Sequence, residues 1–371
     1  MRNDGINYNE ALLFYLVRAG LGTERNFDFK FTEMPQWEWI YEMSAKQGVL
    51  AIVFDGIKVL YKRGIFPKEY DMCIDLKLAW KYNTLNMERT IKEKFMLEKE
   101  FAEEYAARGI RMVVLKGIAI AMLYPKASHR PCGDLDCFMM GDYEKGNTIA
   151  PEIGAVYEGC DTKHSHIRYK GLEIENHQFC TPVCGNWHRK EFERRLQSLL
   201  YGGELKPIGS SKLYYPDAMF SALFLTVHSW RHYIDEGIFL RHITDWVLLL
   251  EKHFSDIDWD KFVETIRIRD EKIMLYAGCL SLIAHRHLGA KLPPIFKGQP
   301  DEELISRMLR SILYDEKPPK LNRYDFITRK FVIIWRSLKS NWKIRTFCSD
   351  HPVTSTFMMV YNRLFELHPK I

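Results

Sequence analysis

The sequence predicts an α+β protein in which a small mixed β-sheet lies between two helical regions. In residues 8–108, apolar side chains recur at three- and four-residue steps, the spacing of amphipathic helices. Between about residues 110 and 185, short β-branched runs and a hairpin pattern replace that spacing. Helical spacing then returns and continues to the end of the sequence. These observations predict an N-terminal helical region at 1–108, a core at 109–200 and a C-terminal helical region at 201–371.

The bulk composition is that of a folded, mildly basic protein. Hydrophobic residues make up 47% of the 371 residues and charged residues 27%, which is ordinary for a globular chain and argues against disorder. The 53 basic and 48 acidic side chains leave a net charge of +5, which permits anionic substrates but does not indicate nucleic acid. No apolar run has the length of a membrane span, so no transmembrane segment is expected. The eight cysteines are irregularly spaced, which favours reduced thiols and a cytoplasmic location.

The N-terminal helical region ends in a long charged segment. Between residues 67 and 109, lysine and glutamate are mixed in a pattern that is typical of a solvated helix face. Gly109 is predicted to close this helix as its C-terminal cap.

Short strands and helices alternate in the core. Residues 112–115 form an apolar, β-branched run of the kind found in buried strands. A helix is predicted to follow at 117–124 and to end there, because Pro125 cannot continue it. Lys170-Gly171 supplies the tight turn of a hairpin, since glycine tolerates a positive φ. The other predicted elements are a strand at 135–140, a helix at 142–153, a strand at 155–157 and hairpin arms at 166–169 and 172–176.

Asp134 and Asp136 are the strongest chemical signal in the sequence. They flank Leu135 at the start of a predicted strand, and alternate side chains of a strand lie on the same face. Two adjacent carboxylates repel each other unless a cation lies between them, and Mg²⁺ prefers carboxylate and phosphate oxygens. The pair therefore predicts a magnesium site that binds a triphosphate. The alternative is two solvated acids on an edge strand.

A phosphate site is predicted at the end of the first core strand. Lys116 and Gly117 lie between that strand and the next helix, where free backbone N–H groups and a lysine charge bind phosphate. The alternative is a plain strand-to-helix turn that needs glycine for its backbone angles. Arg130, which precedes the second strand, either clamps phosphate or pairs with an acid.

The second hairpin arm supplies candidates for a third carboxylate. Glu173, Glu175 and His177 alternate with less polar residues, so they share one face of the strand. Burial of Ile174 fixes this register, because a slip by one residue would bury both acids. The alternation alone does not decide between Glu173 and Glu175. The alternative is an exposed polar face on a half-buried strand.

Polar side chains also cluster on two predicted helices of the C-terminal region. The first helix carries His228, Trp230, Arg231 and His232. The second carries Arg241 and Asp245 at i, i+4 spacing. These residues either line a pocket for a base or a phosphate, or form an interhelical network with an ordinary Arg–Asp pair.

The order and spacing of these motifs resemble a known family. The resemblance is carried by Leu115-Lys116-Gly117, Tyr124-Pro125, Arg130-Pro131, Gly133-Asp134 with Asp136, and Ile174-Glu175-Asn176-His177. The pattern is similar to that of largely uncharacterised bacterial nucleotidyltransferases of the DNA polymerase β-like superfamily, over about residues 110–250. Two helical segments, at 223–228 and 240–245, are also similar. In that family an acid lies two residues before a histidine, which favours Glu175 as the third carboxylate.

The resemblance implies a metal-dependent nucleotidyltransferase with a nucleotidyltransferase core. It would move a nucleoside monophosphate from a nucleoside triphosphate, with ATP the expected donor, to an acceptor. Asp134, Asp136 and Glu175 are the implied catalytic residues and ligands of Mg²⁺ or Mn²⁺. The nucleotide-binding candidates are Lys116, Gly117, Arg130, Gly133, His228 and Arg241. The acceptor is left open among sugar, antibiotic, protein and RNA. The alternative function is a non-catalytic protein that keeps the fold to bind a nucleotide or a partner.

Two weaker signals remain. His177, Cys180, Cys184 and His188 are potential zinc ligands, but their spacing matches no standard zinc motif, and unpaired buried thiols are favoured. The basic segment 326–347 carries apolar residues at helical spacing. A terminal helix that packs on the body is favoured there over binding to a membrane, a nucleic acid or an acidic partner.

Overall fold

The computed structural model describes residues 5–161, 163–183, 187–297, 300–315 and 341–349, and it confirms the α+β fold. The helices are α1 (Tyr8–Leu21), α2 (Trp37–Lys46), α3 (Leu50–Lys62), α4 (Ile74–Ala107), α5 (Ile118–Ala121), α6 (Tyr143–Ile149), α7 (Trp187–Gly202), α8 (Ala218–Asp235), α9 (Leu240–His253), α10 (Trp259–Arg269), α11 (Ile273–Leu288), α12 (Glu302–Tyr314) and α13 (Asn341–Phe347). The strands are β1 (Met112–Val114), β2 (Leu135–Phe138), β3 (Val156–Cys160), β4 (His164–Tyr169), β5 (Leu172–His177), β6 (Lys206–Pro207) and β7 (Leu213–Tyr215).

The described strands form one mixed sheet in the order β3-β4-β5-β2-β1-β7-β6. The β3–β4, β4–β5 and β6–β7 pairs are antiparallel, and so is β1 with β2. The β2–β5 and β1–β7 pairs are parallel. The two strands that carry the predicted acids, β2 and β5, are therefore neighbours at the centre of the sheet.

Both faces of the central strands are buried. Along β1, Met112 and Val114 pack into one hydrophobic cluster, while Val113 packs into a second, larger cluster built mainly by the helices. A strand that is buried on both faces reads as a continuous apolar run rather than an alternating one. The run at 112–115 is thus explained, and the prediction of a buried strand is confirmed.

Two strands lie where only helix was predicted. β6 and β7 fall within the region 201–371, and β7 extends the sheet beside β1. With two and three residues, these strands are too short for alternation to reveal them, and they are held by pairing with a distant strand. The hairpin also differs at its start, because β4 begins at His164 rather than at residue 166.

The predicted turns and caps match the structure more closely than the helix lengths do. Gly109 follows α4 with a φ of 78°, and the hairpin turn has a positive φ at both Lys170 and Gly171, as a type I′ turn requires. The helix predicted at 117–124 is shorter, because α5 ends at Ala121. The one predicted at 142–153 splits into α6 and a short 3₁₀ segment, Ala150–Ile153.

Helices α1 and α3 approach each other at two glycines. A Cβ atom on Gly20 would lie 2.0 Å from the carbonyl oxygen of Ile52, and one on Gly56 would lie 2.0 Å from that of Leu16. Real Cβ contacts are never this short, so the two backbones can pack at this distance only because both positions lack a side chain.

The segment that leads into β2 is attached to the helical arm by His129. This buried side chain lies between the carboxylates of Asp55 on α3 and Glu88 on α4, with Nε2 2.7 Å from Glu88 Oε1. Burial alone would raise the pKa of Glu88, but hydrogen bonds from His129 and Lys126 lower it to about 2. The contacts of His129 with both helices therefore fix the start of the loop that carries Arg130 and Gly133.

Two further predictions concern the membrane and the C-terminal tail. Among the described residues, no helix combines the length and the apolar character that crossing a bilayer requires. Most of the basic segment 326–347 lies outside the described residues. Its last part forms α13, where Ile344 and Phe347 are buried.

Candidate active site

Asp134, Asp136 and Glu175 converge at the centre of the sheet. Asp136 on β2 is the direct cross-strand partner of Glu175 on β5, and directly paired residues of adjacent strands project from the same face. Asp134 lies one residue before β2 rather than within it. Even so, the three carboxylates offer oxygen atoms that all lie within 4.8 Å of one another. The predicted convergence is confirmed, and the register selects Glu175 rather than Glu173 as the acid beside Asp136.

A lysine ammonium lies against two of the three carboxylates of this cluster. Lys116 Nζ lies 3.0 Å from Asp136 Oδ2 and 4.0 Å from Asp134 Oδ1. Burial would raise the pKa of Asp136, whose side chain is 1% exposed, but the charge of Lys116 and a hydrogen bond from His177 hold it well below its ordinary value. Burial would likewise lower the pKa of Lys116, yet the carboxylates of Asp136, Asp134 and Glu175 raise it. The charged forms of Asp136 and Lys116 thus stabilise each other at the centre of the site.

The turn between β1 and α5 places Lys116 over β2. The N–H of Leu115 donates to the carbonyl of Asp136 at 3.0 Å, which ties the two strands together just before the turn. Gly117 has a φ of 64° and a ψ of −119°, a conformation that only glycine adopts without strain. Because α5 has only four residues, the ammonium of Lys116 supplies most of the positive charge in this turn.

Arg130 forms an ion pair with an acidic side chain, which is one of the two roles that the sequence left open. Its Nε and Nη2 donate to the two carboxylate oxygens of Asp245 at 2.7 Å each. The hydroxyl of Tyr124 donates to the same carboxylate at 2.6 Å. The i, i+4 pair between Arg241 and Asp245, which the sequence left as one of two alternatives, is therefore not formed, because Asp245 binds Arg130. Arg241 instead donates to the carbonyl of Pro131 at 2.8 Å.

A cavity of about 380 Å³ opens beside Asp134 and Asp136. Its walls include all six predicted nucleotide-binding residues, namely Lys116, Gly117, Arg130, Gly133, His228 and Arg241. The wall opposite the carboxylates comes from α8 and α9. This volume lies within the range of small-molecule sites, roughly 300–1,000 Å³.

Two histidines of the far wall, His228 and His242, have pKa values that are lowered by burial and by nearby positive charge. Burial, and next the positive charge of Lys116, hold the pKa of His228 well below its ordinary value. Burial and the charge of Arg241 do the same for His242. Phe239 N–H donates to His242 Nδ1 at 3.1 Å, so the other ring nitrogen carries the proton. These rings can form hydrogen bonds, and the positive charge of the cavity comes from lysine and arginine.

A family model described as an uncharacterised nucleotidyltransferase matches residues 33–284, more than half of the chain. The chain belongs to this nucleotidyltransferase family. The match is wider than the motifs at 110–250 and extends from the helical arm into α11. No curated protein and no solved structure gives a significant match.

Sequence reasoning missed two groups in the site of this nucleotidyltransferase-family protein. Lys163 faces Glu175 and Asp136; its burial lowers its pKa more strongly than the two carboxylates raise it. His164 begins β4 and lies opposite His177 across the hairpin. Because the arm was predicted to start at residue 166, the alternation of His164 with His166 on one face was not recognised, although the sequence contains it.

The four potential zinc ligands that the sequence offered, but did not favour, do not form a group among the residues that the structure describes. Cys184 lies outside the described residues. Among those described, His177 groups with His164 and Glu175, and no group includes Cys180 or His188. The backbone N–H of Cys180 instead donates to the buried carboxylate of Glu193 at 2.7 Å, which braces the loop after β5.

Proposed function

We propose that this protein is a metal-dependent nucleotidyltransferase with a DNA polymerase β-like core. It transfers a nucleoside monophosphate from a nucleoside triphosphate, with ATP the expected donor, to a hydroxyl or phosphate of an acceptor. The observation that carries the proposal is the convergence of Asp134, Asp136 and Glu175 at the mouth of a nucleotide-sized cavity, with Lys116 in contact.

The donor set fits a hard divalent cation. The ammonium of Lys116 lies against Asp136 and Asp134 and stands in for a bound cation. The three side chains offer only oxygen ligands, which Mg²⁺ and Mn²⁺ prefer. When bound, such an ion neutralises the charge that develops on the triphosphate and its pyrophosphate leaving group.

In this proposal, each residue of the site has a separate role. Lys116 moves from the carboxylates to the triphosphate, because a metal ion between the carboxylates would repel its ammonium. Gly117 and Gly133 let the phosphates approach the backbone closely. Glu175, with a side chain that is 21% exposed, accepts the proton of the acceptor hydroxyl. Arg130, held by Asp245, fixes the loop of Gly133.

The far wall of the cavity, formed by α8 and α9, contacts the parts of the donor and the acceptor beyond the triphosphate. Arg241 contributes charge, while neutral His228 offers a hydrogen bond to a base, a ribose or the acceptor.

Release of pyrophosphate from the four nucleoside triphosphates, with Mg²⁺ or Mn²⁺ and a pooled acceptor library, tests the transfer. Nucleotide binding without pyrophosphate release under all of these conditions would favour the non-catalytic alternative.

Replacement of Lys116 by methionine is expected to raise the dissociation constant of the Mg²⁺–nucleotide complex by about tenfold or more. A charge-assisted contact contributes about 1.5–3 kcal/mol, and 1.4 kcal/mol corresponds to a factor of ten. Calorimetry measures the constant. Lys170→Met is the control, because Lys170 is an exposed lysine that pairs with Glu100 at the hairpin turn. An unchanged constant for Lys116→Met would make this lysine structural.

Glu175→Gln is expected to reduce turnover by orders of magnitude while weakening nucleotide binding less. The substitution keeps the shape of the side chain and removes the proton acceptor, which acts mainly in the transition state. Glu173→Gln is the matched control, because Glu173 lies two residues earlier on the same strand, is exposed, and pairs across the hairpin with Arg168. Single-turnover pyrophosphate release separates the two variants. Loss of activity in Glu173→Gln alone would overturn the assignment.

A further inference from the structure

The β4–β5 hairpin brings two imidazoles to one carboxylate. His164 and His177 are direct cross-strand partners, with ring centroids 5.0 Å apart. His164 Nε2 lies 3.4 Å from Glu175 Oε1, and His177 Nε2 lies 3.4 Å from Glu175 Oε2. Ligand atoms of the three side chains all lie within 4.8 Å of one another. Two ring nitrogens and a carboxylate thus converge beside the Asp134–Asp136 pair.

The separations in this cluster fit metal coordination better than hydrogen bonding. Hydrogen bonds of the N–H···O type cluster near 2.9–3.0 Å, so 3.4 Å is long for such a contact. Bonds of about 2.0–2.1 Å from zinc to nitrogen or oxygen place two tetrahedral ligands about 3.3–3.4 Å apart. Each of the two histidines therefore lies at this spacing from one oxygen of Glu175, His164 from Oε1 and His177 from Oε2.

His177 is fixed in the manner of a metal ligand. Its Nδ1 lies 3.1 Å from the carbonyl of Phe179, which accepts the Nδ1 proton. Its Nε2 lies 3.2 Å from Asp136 Oδ1 and 3.4 Å from Glu175 Oε2, so this nitrogen faces both carboxylates. A cation among these atoms would satisfy all of them. Metal-bound histidines characteristically donate their other N–H to a carbonyl or a carboxylate.

His164 gives a second, independent indication. Its side chain is 9% exposed, and its Nδ1 has no hydrogen-bond partner among the described residues. Asp161 adds a carboxylate: its Oδ1 accepts two backbone N–H groups, from Lys163 and His164, while its Oδ2 lies 3.4 Å from His164 Nε2. The Nε2 atom of this buried imidazole therefore lies between two carboxylates, at 3.4 Å from an oxygen of each, while Nδ1 is the unpartnered nitrogen.

We propose that His164, His177 and Glu175 bind a divalent transition metal ion of the zinc class, at a position distinct from the all-oxygen site of Asp134 and Asp136. Imidazole nitrogen favours such ions over Mg²⁺, so the two positions select different metals while sharing Glu175. Asp161 or water completes the coordination. The proposal needs only the geometry of the hairpin and does not depend on nucleotidyl transfer.

The test is metal binding by the untagged, metal-free full chain. Co²⁺, which replaces zinc and absorbs visible light, is titrated and then displaced with Zn²⁺. One equivalent is expected to give the visible bands of low-coordinate Co²⁺ with nitrogen ligands. His164→Gln should weaken the Co²⁺ affinity at least tenfold, and His253→Gln, at the end of α9, should not change it. Equal affinity in the wild type and in His164→Gln would overturn the proposal.

Two further measurements keep the result interpretable. Zinc-edge X-ray absorption on the wild-type chain reports imidazole ligands directly, and a zinc shell without imidazole would overturn the proposal even if the variants fail to fold. Mg²⁺-dependent ATP binding by His164→Gln is expected to stay within about twofold of the wild type, because His164 is not a ligand of the all-oxygen site. Absence of ATP binding in the wild type, with Co²⁺ binding intact, would count against the proposed function alone.

Discussion

Replacement of Asp136 by asparagine is expected to lower the rate of nucleotidyl transfer by about a thousandfold or more. Asp136 is buried at the centre of the sheet and faces Glu175, Lys116 and His177. Asparagine keeps its shape but removes the charge that holds the cation. Metal stabilisation of a transferring phosphoryl group amounts to several kcal/mol, and about 1.4 kcal/mol corresponds to a tenfold change in rate.

The same substitution is expected to abolish the gain in nucleotide affinity that Mg²⁺ gives. Calorimetry with and without the metal measures this gain, and thermal unfolding checks that the variant is folded. Asp142→Asn is the matched control, since Asp142 lies just beyond the other end of β2 and its side chain makes no capping hydrogen bond to α6. If wild-type affinity is the same with and without metal, the carboxylates do not hold a catalytic ion.

The largest effect on stability is expected from Gly56→Ala. The new Cβ atom would lie 2.0 Å from the carbonyl oxygen of Leu16, so α1 and α3 must move apart. Leu16 and Val17 on α1 and Val53 on α3 are fully buried, and this movement therefore loosens the packing of the helical arm. Overpacking a core typically lowers the free energy of unfolding by about 1–3 kcal/mol. We expect at least the upper end of that range, because the obstacle is backbone rather than a flexible side chain.

Denaturant unfolding monitored by circular dichroism measures this loss. Gly20→Ala should behave in the same way, because its Cβ would meet the carbonyl of Ile52 at 2.0 Å. Gly202→Ala is the control, since no heavy atom lies within 4 Å of a Cβ at this last position of α7. Its free energy of unfolding should change by less than about 0.5 kcal/mol. Equal unfolding midpoints for Gly56→Ala and Gly202→Ala would show that the two helices separate at little cost.

Local sequence patterns predicted much of the sheet and of the acidic cluster. Two-residue spacing put Asp134 and Asp136 on one side, and the turn at Lys170-Gly171 set the register in which Ile174 is buried and Glu175 is not. These features follow from the period of a strand and from the φ preferences of glycine, which act within a few residues. The predicted boundaries were less accurate, because strands such as β7 form only by pairing with a distant partner.

The roles of the arginines could not be read from spacing. Arg241 and Asp245 have the separation of a helical ion pair, yet Asp245 binds Arg130, which lies 115 residues away in sequence. Helical spacing shows only that two side chains are within reach. Whether they pair depends on which face of α9 packs against the loop that carries Arg130. A buried carboxylate binds the partner that satisfies both of its oxygens.

The sequence by itself determined the α+β class, the convergent acids and the glycine turn at Lys116-Gly117, because strand alternation and backbone sterics are local. Only the tertiary structure decided that α8 and α9 close a cavity over those acids and that His164 joins His177 at the same carboxylate. It also pairs Asp136 directly with Glu175, the acid that the family resemblance favoured. These contacts join residues that are far apart along the chain. They depend on strand order and helix packing, which the free energy of the whole fold selects and no local spacing specifies.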